Sequence, residues 1–198
     1  MSKELPILFN TQMVKAILDG EKTSTRRIIK SINTDIETLK KACQYQPGDI
    51  LYVRETWKYS ECCNCEENNR KNCPKKSQKS VLSKTCGCYM YRATDKINED
   101  AKWHPSIHMP KEAARIWLKV TNVRVEHLQD MTAEDALREG AGKYIHPNGE
   151  LNKNAVITSF MGIWDNTVNK SDICIYGWNA NPIVYVVDFE VITKPENL

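Results

Sequence analysis

Ile183-Val184-Tyr185-Val186-Val187-Asp188-Phe189-Glu190-Val191-Ile192 is the strongest strand signal in the chain. It is dominated by β-branched and aromatic residues and contains no Gly or Pro, which favours an extended segment packed on a core. Working outward, residues 116–127 predict a second long strand carrying Val120, Val123 and Val125, and residues 50–57 a well-buried strand after the Pro47-Gly48-Asp49 turn. Shorter extended runs fall at 7–9, 22–29 and 89–92. Helices are fewer. Asn10 or Thr11 can cap one whose apolar positions Met13, Val14, Ile17 and Leu18 recur at helical spacing, with Gly20 placed to end it. Others are predicted over 36–42 and 111–114. Thr132 with Asp135 forms a near capping box that opens a helix to Arg138, ended by Gly140. A last helix over 154–168 turns Val156, Ile157, Phe160, Met161, Ile163 and Trp164 inward. Strands outnumber helices and do not alternate with them regularly. The expected class is therefore α+β, a mixed β-barrel with flanking helices rather than a parallel doubly wound sheet.

With 198 residues and 41% hydrophobic content, one domain carrying an insertion is expected. No apolar run approaches the ~18 residues of a membrane span. The first residues lack the apolar core of a secretory signal, so the expected compartment is the cytoplasm and disulfides are not expected. A net charge of +3 and a pI near 8.3 permit a phosphate-bearing partner without demanding one. Lys22, Arg26, Arg27 and Lys30 cluster in one segment, and Arg70, Lys71, Lys75, Lys76 and Lys79 in another; either run also fits an ordinary solvated face.

Gly20-Glu21-Lys22-Thr23-Ser24-Thr25-Arg26-Arg27 lies at a helix-to-strand junction. Its cations donate hydrogen bonds and its hydroxyls donate or accept them, a combination suited to phosphate or to a polar base edge. Glu55 stands inside the apolar run 50–57, where an unpaired carboxylate is costly. It is expected to meet a cation such as Lys22 or Arg27, or to face a wet cleft.

The segment Gly20 to Arg27 resembles the Gly-x-Lys-x-x-Thr-x-Arg signature of ASCH domains, with Thr25 and Arg27 at its last two defined places. The run from Pro47 to Trp57 is similar to the second strand of that family, and the stretches 103–115 and 176–182 resemble its bacteriophage-type members. The resemblance implies a PUA-like barrel with a cleft facing RNA or a modified nucleoside, contacted by Lys22, Arg26 and Arg27. Some small relatives are amidohydrolases that remove the acetyl group from acetylated cytidine using a Lys, a Thr and a Glu. The Lys and Thr correspond to Lys22 and Thr25, and Glu55 is the candidate for the third. In that scheme a Lys22 of lowered pKa activates the Thr25 hydroxyl and Glu55 shuttles the proton. Other relatives are ribonucleases. A third reading, from another class, is a protein-interaction module of phage origin.

Between about residue 60 and residue 87 apolar residues nearly vanish, while Cys62, Cys63, Cys65, Cys73, Cys86 and Cys88 crowd together. A segment with little to bury is most simply held by a metal ion, and structural zinc on Cys62, Cys65, Cys73 and Cys88 is the expected arrangement, with Cys63 and Cys86 as substitutes. An iron–sulfur cluster or a disordered loop is the alternative. Cys43 and Cys174 read as buried or incidental thiols. Among the histidines, His108 is expected to pack, His104 to pack or line the cleft, and His127 and His146 to lie at the surface. Four of the five tryptophans read as core. Trp178, in the polar loop Gly177-Trp178-Asn179, is expected either to stack on a base, with Asn179 or Asn181 reading its edge, or to cover the end of the barrel.

Overall fold

The strand at the end of the chain runs over Ile183–Ile192 (β7), and the one before it over Trp117–His127 (β6). A computed structural model describes residues 2–30, 35–61, 87–96 and 102–195. Its other strands are β1 (Glu4–Leu8), β2 (Ser24–Ile28), β3 (Ile50–Arg54), β4 (Trp57–Glu61) and β5 (Gly87–Tyr91). Five of them form one sheet in the order β1-β3-β6-β7-β2, and β4 with β5 makes a separate hairpin. The fold is therefore α+β. Among the described residues the five-stranded sheet has β1 and β2 at its edges and does not close into a barrel.

The helices are α1 (Thr11–Leu18), α2 (Ile36–Ala42), α3 (Ala133–Arg138), α4 (Lys153–Asp165) and α5 (Ile173–Tyr176). Each of the first four begins at a side chain that accepts from an otherwise orphaned backbone N–H. Asn10 Oδ1 accepts from Met13 N at 2.9 Å, Asp35 from Thr38 N, Thr132 from Asp135 N, and Asn152 from Ala155 N. Gly20 and Gly140, at φ +76° and +87°, supply the left-handed residues that end α1 and α3. No helix among the described residues is long and apolar enough to cross a membrane.

Two expected elements differ. The strand predicted over 50–57 is broken at Glu55, whose N–H turns to Met109 Sδ at 3.1 Å, so that Trp57 starts the β4·β5 hairpin opposite Tyr91. Helix α4 stops at Asp165, and the Thr167 hydroxyl donates to the Trp164 carbonyl at 2.7 Å. Neither α5 nor the single turn over Trp178–Ala180 is marked by hydrophobic periodicity.

The chain divides into two compact units. One contains Pro6–Lys15, Leu51–Trp117 and Thr193–Leu198. In it Trp57 is packed by Tyr89 at 5.8 Å and by His104 at 5.0 Å between ring centroids, while His108 is exposed. The packing expected of His108 therefore belongs to His104. The other unit contains Met1–Leu5, Ala16–Ile50 and Leu118–Ile192. Here β2 pairs antiparallel with β7, setting Ser24 opposite Asp188, Arg26 opposite Val186 and Ile28 opposite Val184. Helix α4 brings Val156, Phe160 and Trp164 into a core with Val184, Val186, Leu128 and Trp178.

Candidate functional site

The left-handed turn at Gly20 folds the chain back so that Glu21 N and Lys22 N both bond the Ala16 carbonyl, at 2.8 and 3.0 Å. Thr23 then bridges two elements: its N–H donates to the Arg138 carbonyl at 2.8 Å and its carbonyl accepts from Phe189 N at 2.9 Å. These bonds set the residues of the Gly20 to Arg27 segment under the C-terminal end of α3. Lys22, Ser24, Thr25 and Arg26 are all buried, none more than 4% exposed.

Lys22 Nζ donates to the Ser24 carbonyl at 2.7 Å, to the Glu139 carbonyl at 2.9 Å and to Glu139 Oε2 at 2.7 Å. Arg26 extends the pair, with Nη1 3.2 Å from Glu139 Oε1 and Nη2 on Glu126. Arg124 carries it further, to Glu126 at 2.9 Å, Asp188 at 2.8 Å and Asp135 at 3.2 Å. Arg138 closes onto Asp188 at 2.8 Å. Four cations (Lys22, Arg26, Arg124, Arg138) thus meet four carboxylates (Glu126, Asp135, Glu139, Asp188). Ser24 Oγ and Arg26 Nε have no hydrogen-bond partner among the described residues.

Burial pulls the Lys22 ammonium below the ordinary lysine range, and Glu139 offsets this only in part. Burial would raise the Asp135 carboxyl, but bonds from Thr132 and the charges of Arg26 and Arg124 outweigh it and hold the group below the usual carboxylate value. Arg124 is raised: its desolvation is overcome by Glu126, Asp188 and Asp135. On the opposite face of β2, Thr25 pairs in register with Val187 and Arg27 with Tyr185. Burial lowers Arg27, opposed by Tyr45 and Glu139.

The end of α3 roofs this network. Gly140 passes so close that a Cβ there would lie 3.0 Å from the Ala16 Cβ and 3.7 Å from the Lys22 Cβ. On the outer side, loop 140–143 with Glu21, Leu137 and Arg138 lines an open cleft of about 490 Å³. Arg138 is half exposed there, and Lys143 is exposed. The cleft therefore presents two cations, the Glu21 carboxylate and backbone at its rim, and Lys22, packed under Gly140, does not line it.

The other predicted residues fall elsewhere. Glu55 takes neither Lys22 nor Arg27 as its ion-pair partner but Arg115, at 2.9 and 3.0 Å. Arg115 also covers the Tyr91 ring at 4.0 Å and reaches Thr94 Oγ1 at 2.9 Å, so this pair pins the loop before β6 to the end of β5. Burial raises the Glu55 carboxyl, opposed by Arg115. Trp178 is no open stacking surface. Its ring is buried 6.1 Å from Phe160, while the polar character of its loop is spent on backbone: Trp178 N bonds Asp165 and its carbonyl accepts from Gln129. Asn179 is exposed, and Asn181 holds Gln129 N at 2.8 Å from a left-handed backbone. Cys62, Cys63, Cys65, Cys73 and Cys86 lie outside the described residues. Cys88 is half buried, Cys43 is buried, Cys174 is exposed, and among the described residues no group of three or more ligating side chains could hold a metal ion.

Comparison with family models, with curated proteins and with solved structures gives no match.

Glu139 and Asp188, the carboxylates that organise the network, are not among the residues singled out from sequence. Both leave a signal. Glu139 is an acid at a helix C-terminus, against the macrodipole, a position that favours Lys or Arg unless a tertiary cation is waiting. Asp188 interrupts the apolar strand β7 just as Glu55 interrupts 50–57.

Proposed function

We propose that the chain is an ASCH-like module, related to PUA-type folds, that binds single-stranded RNA or a nucleotide in the cleft over loop 140–143. The observation that supports this best is the balanced ionic network beneath that loop. Burying charges rarely yields net stability, so a cluster of this size is better understood as fixing geometry. What it fixes is the end of α3, where Arg138, half exposed on its bond to Asp188, and the following Lys143 are the cations that line the cleft. In this reading Lys22 of the signature and Arg26 beside it act as anchors, and the loop they hold makes the phosphate contacts. The Cys-rich segment belongs to the same proposal as a zinc-tied insertion. The hairpin supports it: register pairs Ser60 with Cys88 and Glu61 with Gly87, so both ends of the segment leave adjacent strands, and a thiolate set suits zinc.

A second reading is favoured by one contact. Lys22 Nζ lies 2.7 Å from the Glu139 carboxylate, with burial lowering the lysine, which is the arrangement of a proton-transfer pair in a hydrolase acting on a modified nucleoside. Glu139 would then take the proton-shuttling role expected of Glu55, which is bonded to Arg115 instead.

Wild-type protein is to be offered a short single-stranded RNA and a panel of acetylated nucleosides. Salt-dependent retention of RNA without product is the expected result. Product formation abolished in Lys22→Ala, with its folding checked by circular dichroism, would replace the binding reading with the hydrolase. Neither retention nor product would sink both.

A further inference from the structure

Loop 140–143 runs directly into a small hairpin arm, and this arm carries an exposed aromatic side chain. Tyr144 is 45% exposed, although large aromatic side chains usually find a core. The exposure is not that of a loose loop. Tyr144 O accepts from Asn152 N at 2.8 Å, Ile145 bridges Leu151, and His146 N donates to the Glu150 carbonyl at 2.8 Å. Gly149, at φ +88°, closes the turn with its N–H on the His146 carbonyl at 2.9 Å. The arm ends at Asn152, the cap of α4, and begins at Gly142, whose N–H reaches Ser159 Oγ of the same helix at 3.4 Å. Both of its ends are therefore tied to one helix.

The ring of Tyr144 lies against the Gly142 backbone. A Cβ at Gly142 would stand 3.1 to 3.3 Å from the ring's Cε2, Cζ and Oη, so glycine is what leaves room for it. Gly142 also lines the cleft, so the ring packs on a residue of a lining that includes Lys143 and Arg138. An exposed ring on a backbone-tied arm, packed on the lining of a cleft that carries two cations, suits single-stranded nucleic acid: the cations take backbone phosphates and the aromatic face takes a base. The Trp178 ring, by contrast, is buried in the α4 core.

We infer that Tyr144 is the base-stacking platform of this cleft, so that the ligand is a single-stranded nucleic acid contributing an unpaired base to Tyr144 and phosphates to Arg138 and Lys143. This rests on the nucleic-acid reading of the cleft and adds to it the residue that would hold the base. Because every base has a π face, the platform is expected to tolerate base identity while rejecting duplex, whose bases are already stacked.

Anisotropy titrations of a short labelled oligouridine tract test this, run in parallel with the same tract carrying abasic sites. Tyr144→Ala is expected to weaken the intact RNA about 5- to 100-fold, and Tyr144→Phe to leave it near wild type. The abasic tract should bind wild type weakly and be indifferent to Tyr144→Ala. Thermal midpoints of the variants should match wild type, because the ring covers little core. Wild-type binding that Tyr144→Ala leaves intact would overturn the stacking assignment and spare the binding reading. No RNA binding by wild type would overturn both. A change in sedimentation of Tyr144→Ala without a change in RNA affinity would make the arm a protein-docking surface, which also overturns the assignment.

Discussion

One face of the β2·β7 ladder changes character along its length. At one end Ile28, Val184 and Val186 pack with Phe160, Trp164 and Trp178 of the α4 core. At the other, Ser24, Arg26 and Asp188 sit among Lys22, Arg124, Glu126 and Glu139 under α3. The apolar end is stabilised by area removed from water and is indifferent to which apolar side chains supply it, provided they fill the volume. The ionic end loses hydration for every charge it buries and recovers it only through geometry. Removing one partner there leaves a charge stranded, whereas removing both need not. In the proposed reading the first end supplies stability, and the second holds in place the loop over which the candidate cleft lies.

The largest effects separate the two ends by their response to rescue. Trp164→Ala should destabilise the fold by about 3–5 kcal/mol, and no single partner substitution should restore it. Glu139→Ala should cost a similar ~3–5 kcal/mol by stranding Lys22, but adding Lys22→Met should recover much of that stability. Denaturant melts of the single and double variants check both statements; a double variant no better than Glu139→Ala alone would remove the distinction.

Acid sensitivity should be a property of the ionic end. Asp135 titrates near 3.8 when unfolded and lower in the fold. The unfolded state is thus the stronger proton binder, and the stabilisation, complete above the unfolded value, disappears as pH falls through the folded one. Asp135→Asn should flatten the fall in denaturation midpoint below about pH 4 relative to wild type. The smallest effect concerns the exposed pair Lys119–Glu190, at 3.8 Å with both side chains about half exposed. Lys119→Ala should change stability by less than about 1 kcal/mol, the outcome expected of a solvated pair and opposite to that of Lys22–Glu139.

The two ends also differ in how far they can be read from sequence. Hydrophobic periodicity and β-branched runs mark β7, β6, α1 and α4, and the Thr132–Asp135 box marks the start of α3, because these signals are local. Glu55 is legible as a buried acid that needs a cation, yet its partner Arg115 is 60 residues away and nothing nearby designates it. Lys22 and Glu139 are 117 residues apart. A cationic pair such as Lys22 and Arg26 reads as a surface until carboxylates from α3 and β6 are brought onto it. Trp178 misleads for a related reason: its polar neighbours satisfy backbone groups rather than water, so the ring between them is free to enter the core. Tyr144 gives no sequence signal at all, since its position depends on a ring folding back onto Gly142.

The central claim is that the cleft over loop 140–143 takes nucleic acid phosphates through Arg138, the half-exposed member of the network, and Lys143. Its most direct test is the salt dependence of single-stranded RNA affinity for wild type and for the Arg138→Gln/Lys143→Gln variant, both folded by circular dichroism. The account predicts that wild-type log K falls linearly with log salt, and that the double variant binds more weakly with a slope shallower by up to about 1.4, or about 0.7 for each phosphate that no longer meets a cation. Equal affinity and equal slope in the two proteins, or no RNA binding by either, would contradict it.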